Sequence, residues 1–304
     1  MPTIVGGSAD LEPSNYTGNF AEKYGDFSKE NRLGRNLAFG VRVFPMAAAM
    51  NGIALHGGLI PFGGTFLVFA DYERPALRLA SIQKCGVIHE FTHDSFWVGE
   101  DGPTHQPVEQ AMSLRAIPGF NVFRPADAKE TVASFELAMN NKSTPSALLL
   151  TRQGVPVLNQ HMDVIVQGVS KGAYVVHEQD NPELVFIATG SEVSLAIDTA
   201  NKMKDKRIRV VSMPCWEIYE NQSNEYKESI IPRRGALKVS FEAGITLGWE
   251  RYVGSNGMSI GLDHFGASAP GQHLAEEFGF TPVSYTHLRA HETKANLVCR
   301  LLLE

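Results

Sequence analysis

TFLVFADYERPALRLASIQKCGVIHEF, Thr65 to Phe91, is the stretch that decides the fold. TFLVFADY is apolar, aromatic and β-branched and reads as a buried strand; PALRLASIQKC is helix-like; GVIHEF returns to strand character. Strand, helix and strand in that order build a mostly parallel sheet. Working outward, a polar loop is followed by the helix-like VEQAMSLRAI and the strand-like FNVFRP. Asp127 reads as an N-cap with Glu130 as its capping-box partner, opening a helix through AKETVASFELAMN, and SALLLTRQ supplies another buried strand. A first unit closes near Gln153. The stretch from Gly154 to about Asn181, with strand-like DVIVQGV and AYVVHE and little helix, reads as a connection. ELVFIATG, SEVSLAIDTANKMK, RIRVVSMP, ALKVSFEAG and MSIGLDHFG then repeat the alternation. The expectation is an α/β protein of two domains, residues 1–153 and 182–282, joined by 154–181, with function at the carboxyl ends of the strands.

Composition agrees with a globular chain. Its 304 residues are 43% hydrophobic and 20% charged, enough for a sizeable core. A net charge of -6 with no basic run gives no electrostatic reason to bind nucleic acid or an anionic membrane. An anionic ligand has to be held by a few placed residues. Cys85, Cys215 and Cys299 are far apart and lack CxxC spacing, which argues against a disulfide framework or a zinc site and suits a reducing cytoplasm. No signal peptide is legible at the start, and no apolar run approaches the roughly 20 residues of a membrane span.

HEFTHDSFWVGEDGPTHQPVEQ, His89 to Gln110, gathers three histidines and five carboxylates around a Gly and Pro turn. A metal site, a hydrogen-bonding and proton-transfer site for a polar substrate, and a solvated loop are all open to such a segment. His89 and His93 are four apart, but GVIHEF has strand character, and strand neighbours at that spacing do not converge as helical ones do. GEDGPTHQP is too rich in Gly and Pro for regular structure and makes an ordered loop after a strand end, where substrate sites collect.

THDS with GEDGPTHQPVEQ resembles transketolase, and so does GGSADLEPSN near the start. TFLVFADYERPALRLA, LLLTRQ, ELVFIATGSEVSLA, VVSMPCWEIYE, VSFEAG and FGASAPGQHLAEEFGFT are similar to that family in the same order, from Ile4 to Thr281. The resemblance implies a thiamin diphosphate-binding pyrimidine domain followed by a transketolase C-terminal domain. It also implies transfer of a two-carbon ketol unit from a ketose phosphate to an aldose phosphate, the chemistry of the pentose phosphate pathway and the Calvin cycle. The cofactor then carries the difficult step while the protein supplies position and charge. Rival readings are a deoxyxylulose-phosphate synthase, a 2-oxo acid dehydrogenase β-chain, or a noncatalytic dimerisation or regulatory module of the same fold. The phosphate-binding residues and GEDGPTHQP favour transketolase.

Carried over position by position, Phe66, Phe69 and Tyr72 resemble the aromatics around the aminopyrimidine ring, and Asp10 an acidic residue near the thiazolium. Core packing and a turn cap are their plainer roles. His105 resembles the imidazole that hydrogen-bonds substrate oxygens at the reacting carbons, and Asp101 the carboxylate that reads a sugar hydroxyl. Ser14, His93 and Arg152 match residues that bind the sugar phosphate. His89, Glu90 and Glu109 receive no role.

The chain departs from the family in two places. In FGVRVFPMAAAMNG, Val43 stands where the family has the catalytic glutamate, which hydrogen-bonds the pyrimidine ring nitrogen. Valine there reads as a sequence error or an inactive copy rather than a tolerated substitution. Nor is there a GDG motif; the family holds the diphosphate through Mg²⁺, or Ca²⁺, on an N-terminal domain that this chain is expected to lack. The site in the family lies between subunits, so the expected partners are that diphosphate-binding domain, a second copy in a homodimer, and sugar phosphates. Residues 283–304, VSYTHLRAHETKANLVCRLLLE, break the pattern. They match one reading frame of a sequencing-library adapter and are expected to be a non-native tail without function.

Overall fold

A computed structural model describes residues 3–282; the adapter-like tail, and with it Cys299, lies outside the described residues. Two five-stranded sheets carry the architecture. Strands β1 (Ile4–Ser8), β2 (Ile60–Phe66), β3 (Ile88–Thr92), β4 (Asn121–Phe123) and β5 (Ser146–Leu150) form the first, in the order β1-β2-β3-β5-β4 with every pair parallel. The second contains β6 (Tyr174–His177), β7 (Leu184–Ala188), β8 (Ile208–Ser212), β9 (Leu237–Phe241) and β10 (Met258–Ile260), in the order β10-β9-β7-β8-β6. Only β6, on its edge, runs antiparallel to its neighbour β8.

The inner strands are apolar runs because helices cover both faces of each sheet. SALLL of β5 and LVFIA of β7 are buried along almost their whole length. One apolar cluster joins Phe62, Ile88 and Leu148 of the first sheet to Phe186, Val210 and Phe241 of the second, so the two sheets share a core. Among the described residues no helix is long and apolar enough to cross a membrane.

Two sequence expectations are corrected. β2 ends at Phe66, a 3-10 turn occupies Leu67–Phe69, and the helix runs Ala70–Gln83 with Pro75 inside it. Burial of Ala70, Glu73, Ala76, Leu77 and Ala80 along one face outweighs the hydrogen bond that the proline cannot make. Phe69 is thereby moved off a strand and onto the turn at its carboxyl end, and Tyr72 into the first turn of the helix. DVIVQGV, read as strand-like, belongs to the helix Met162–Lys171, where Ile165, Gly168 and Val169 bury one stripe. A Cβ on Gly168 would lie 2.2 Å from Cγ of Tyr174, so β-branched composition yields there to close helix-on-strand packing.

The capping box at Asp127 forms in a modified way. Asp127 Oδ1 accepts from Glu130 N at 2.8 Å, but the Glu130 carboxylate accepts from Ala126 N at 2.7 Å, one residue before the cap. Asp127 Oδ2 also accepts from Leu158 N at 2.7 Å, tying the following connection to the helix Ala128–Asn140. Asp127→Ala therefore orphans two buried N–H groups and should cost roughly 2 kcal/mol or more in urea denaturation. Asp127→Asn keeps one acceptor and should lose less; equal losses would mean that only one of the two bonds matters.

Candidate active site

The candidate residues sit where the strands of the first sheet end. Phe66 closes β2 and stacks on His93, centroids 3.8 Å apart, and on Phe69 at 5.9 Å with rings 8° from parallel. Phe69 in turn meets Tyr72 at 6.0 Å and the ring of His105 edge-on at 5.6 Å. An aromatic ladder thus runs from Tyr72 to His93 with His105 against its middle.

His93 follows β3 in a left-handed conformation, φ 61°, and its Nδ1 lies 2.9 Å from Thr92 Oγ1. Burial holds its imidazole below the usual histidine range, the charge of Arg152 pushes the same way, and Asp101 and Asp94 oppose both. Arg152 and Asp101 therefore act on His93 through space. β5 explains the first of these, since Leu150 is the register partner of Thr92 and Arg152 comes two residues later.

A cavity of about 720 Å³ is lined by Asp10, Val43, Phe69 and Tyr72, together with Leu11, Val41, Phe44 and Pro45. Asp10 leaves β1 with φ 68°, and Val43 is the first residue of the helix Val43–His56. The apolar walls suit a flat heteroaromatic ring. At position 43, though, a ring nitrogen would meet a hydrocarbon side chain with neither donor nor acceptor. The cavity fits the body of an aminopyrimidine and lacks a polar partner there.

His105 and Asp101 lie on a loop held by the second unit. Gln106 Nε2 donates to Gly99 O at 2.7 Å and to Ala267 O at 2.9 Å, and Ser268 Oγ donates to Glu100 O. His105 Nδ1 lies 2.9 Å from Thr104 Oγ1. Of the remaining candidates, Ser14 is exposed on the short helix Glu12–Asn15.

His89 is not part of this group. Its Nδ1 lies 2.9 Å from Glu73 Oε2, both side chains fully buried, and burial raises the Glu73 carboxyl against the opposing effect of His89. Glu90, on the same strand, is pushed up to about 7 by burial, and Glu109 is exposed with Oε1 accepting from Gln110 Nε2 at 3.2 Å. Among the described residues no group of three or more His, Cys, Asp or Glu is placed to hold a metal.

Sequence reading missed Gln106 and Arg124 as supports of the site. Arg124, beyond β4, donates through Nε to Asp94 Oδ2 at 2.8 Å, beside His93. Gln106 lies within GEDGPTHQP and Arg124 within FNVFRP, but neither segment shows the partner: Ala267 is 161 residues from Gln106 and Asp94 is 30 from Arg124. The cavity-lining Leu11, Val41, Phe44 and Pro45 were legible only as neighbours of Asp10 and Val43.

Comparison with known proteins identifies the family. The family model "Transketolase, pyrimidine binding domain" matches residues 1–157, and "Transketolase-like TK C-terminal domain" matches residues 172–281. The transketolase of Staphylococcus aureus (strain MW2) is 51% identical over 284 residues, covering 92% of this chain and 43% of that protein. Transketolase from Leishmania mexicana superimposes with a TM-score of 0.90 at 44% identity, over 95% of this chain and 42% of that one. Pichia stipitis transketolase in complex with sedoheptulose-7-phosphate gives 0.88 at 40% identity, over 95% and 43%. The chain spans less than half the length of the curated relatives it matches. With one family model covering more than half of its length and a second covering most of the remainder, the chain belongs to the transketolase family.

Proposed function

We propose that this chain supplies the pyrimidine-binding half and the C-terminal unit of a thiamin diphosphate-dependent ketol transferase. Residues 1–153 are assigned to the first and 182–282 to the second, and the stretch 154–181 between them carries the helix Met162–Lys171 and β6, the edge strand of the second sheet. One observation carries the reading: Asp10, Val43, Phe69 and Tyr72 line one cavity at the strand ends, with His105 against Phe69. Thiamin diphosphate, when bound, supplies the carbon centre that carries a two-carbon unit between sugar phosphates. Phe69 and Tyr72, backed by Phe66, hold the flat ring, and Asp10 places a carboxylate at the edge of the cavity.

His105 donates to a substrate oxygen where charge develops, and Asp101 accepts from a sugar hydroxyl, so hydroxyl configuration is read by geometry. Arg152, His93 and Ser14 take the sugar phosphate, the arginine by its planar fork. A few placed donors thus hold an anion on an acidic protein. The diphosphate and its Mg²⁺ belong to a diphosphate-binding domain, brought from a second copy of the protein in a homodimer. Val43 removes the acid that the ring nitrogen needs, which favours a second reading of this chain as a module that keeps the fold and binds without turnover.

Binding separates these readings from failure of the cavity assignment. The chain is joined to the diphosphate-binding portion of a transketolase, and thiamin diphosphate is titrated by equilibrium dialysis. Binding should be detectable in the Val43 form, and Phe69→Ala should weaken it about tenfold by removing a stacking wall. Equal affinity in the Phe69→Ala variant would remove the cavity from the proposal.

A further inference from the structure

The second unit contains a cavity as large as the candidate active site, about 750 Å³, at the amino ends of β9 and β10. It shares no lining residue with the cavity around Val43. Its charge runs against that of the chain as a whole. Five cationic side chains line it, Lys227, Arg233, Arg234, Lys238 and Arg251, against two carboxylates, Glu220 and Glu228, while the chain carries a net -6.

The two carboxylates are already engaged. Glu220 pairs with Lys227 at 3.6 Å, and Glu228 with Arg233 at 3.9 Å while also accepting from Arg233 N at 2.9 Å. Among the described residues, three of the five cations, Arg234, Lys238 and Arg251, therefore face the cavity with no carboxylate in an ion pair. Lys238 is the informative one. It lies on β9 with 7% of its surface exposed, and the partners of its ammonium among the described residues are the carbonyls of Arg233 at 3.3 Å and Ala236 at 3.2 Å. A buried ammonium has three donors and is costly without a counter-charge. Burial accordingly pulls its pKa down, against the opposing charge of Glu228.

Tyr252 closes one side of the cavity; its side chain is 7% exposed, and its buried hydroxyl meets Glu220 and Arg251, so that burial raises its pKa, Glu220 pushes the same way and Arg251 lowers it. Buried polar groups are normally satisfied, and an ammonium with three donors and two carbonyl partners marks a place for an acceptor-rich ligand. We infer that this cavity binds a small phosphate-bearing anion, with Lys238 on the phosphate oxygens and Arg234 and Arg251 at the rim. The phosphate dianion fits because it offers several acceptor oxygens and two negative charges to three unpaired cations.

The test is a titration of the ¹⁵N-labelled chain with inorganic phosphate, ribose 5-phosphate and AMP, each followed by amide shifts. Shifts at residues 234–238 and 251–257 are expected with at least one probe. Saturation by inorganic phosphate means that the phosphate group alone suffices; response only to ribose 5-phosphate or only to AMP identifies a sugar or a nucleotide as its carrier. Lys238→Met keeps the buried stem and should weaken binding about tenfold or more through loss of a charged donor. Arg234→Gln, at an exposed position, should weaken it by a smaller factor without touching the core. Repeating the titrations in Arg152→Ala removes any contribution from the candidate active site and should leave these shifts in place. Three results overturn the inference: no shifts with any probe, shifts confined to the surroundings of His93 and Arg152, or unchanged affinity in Arg234→Gln and Lys238→Met alike.

Discussion

Val43→Glu should raise the rate of ketol transfer by at least about 10², measured from xylulose 5-phosphate to ribose 5-phosphate in the chain joined to a diphosphate-binding portion. Val43 opens the helix Val43–His56 and lines the cavity with Phe69 and Tyr72, so a carboxyl there would enter the same space. A positioned acid or base contributes about 10² to 10⁴ in rate, and the lower end is the safer expectation for a restored group. Cofactor affinity should rise as well, because a ring nitrogen buried against valine loses roughly 1 to 3 kcal/mol of hydrogen bonding. Adding His105→Ala to the Val43→Glu variant should then remove much of the gain, since the imidazole is assigned to the oxygen where charge develops. Equal turnover by the valine and glutamate forms would mean that another acid serves the ring or that position 43 is misaligned. Turnover by neither, with cofactor bound, would support the noncatalytic module.

What was legible in the sequence had local causes. Parallel strands buried on both faces leave apolar runs, so SALLL and LVFIA could be read directly, and Asp127 announced its helix through a side chain that caps its own backbone. GEDGPTHQP was readable as an ordered loop because Gly99 and Gly102 both take positive φ, 84° and 77°, where other residues are strained. The helix Val43–His56 was not assigned, since VFPMAAAMNGIALH is apolar on most faces and gives no clear period. DVIVQGV misled for a different reason: β-branched residues favour strands only where packing agrees, and Gly168 under Tyr174 decided otherwise. Least legible were the long-range partners. Gln106 with Ala267 and Arg124 with Asp94 and Glu192, which support the candidate site, and Glu73 with His89, which lies apart from it, meet only after the chain has folded.

Arg124→Met should cost about 3 to 5 kcal/mol in urea denaturation at neutral pH, a large share of the roughly 5 to 15 kcal/mol of an ordinary domain. Arg124 is 1% exposed and bonds Asp94 at 2.8 Å, Glu192, and Thr189 O and Oγ1 at 3.0 and 2.9 Å, so it links the loop beside His93 to the second sheet. Burial alone would lower its pKa, and the charges of Asp94 and Glu192 outweigh that effect. Gly190 makes room, since a Cβ there would lie 2.7 Å from the Arg124 Cζ. The substitution leaves Asp94 and Glu192 buried without their counter-ion, and desolvation raises such carboxyls.

A carboxyl raised in the folded state opposes folding above its unfolded pKa and ceases to do so once both states are protonated. The gap between Arg124→Met and the native protein should therefore narrow as pH falls from neutral toward about 4, the ordinary unfolded carboxylate range, where its charge-dependent part is lost. Glu242 behaves in the opposite sense. Burial would raise it, but Arg115, bonded through two nitrogens at 2.6 and 2.7 Å, with Arg124 and Thr189, holds it down at about 2. Its stabilisation is complete above 4.5 and is lost as pH falls from there toward 2. The penalty of Arg124→Met should thus shrink first, on the approach to about 4, and native stability decline below 4.5, so the two curves draw together in acid. A loss under about 1 kcal/mol at neutral pH, or a gap that stays constant down to about pH 3, would mean that water reaches Asp94 and Glu192 and that the arginine is not what joins the loop beside His93 to the second sheet.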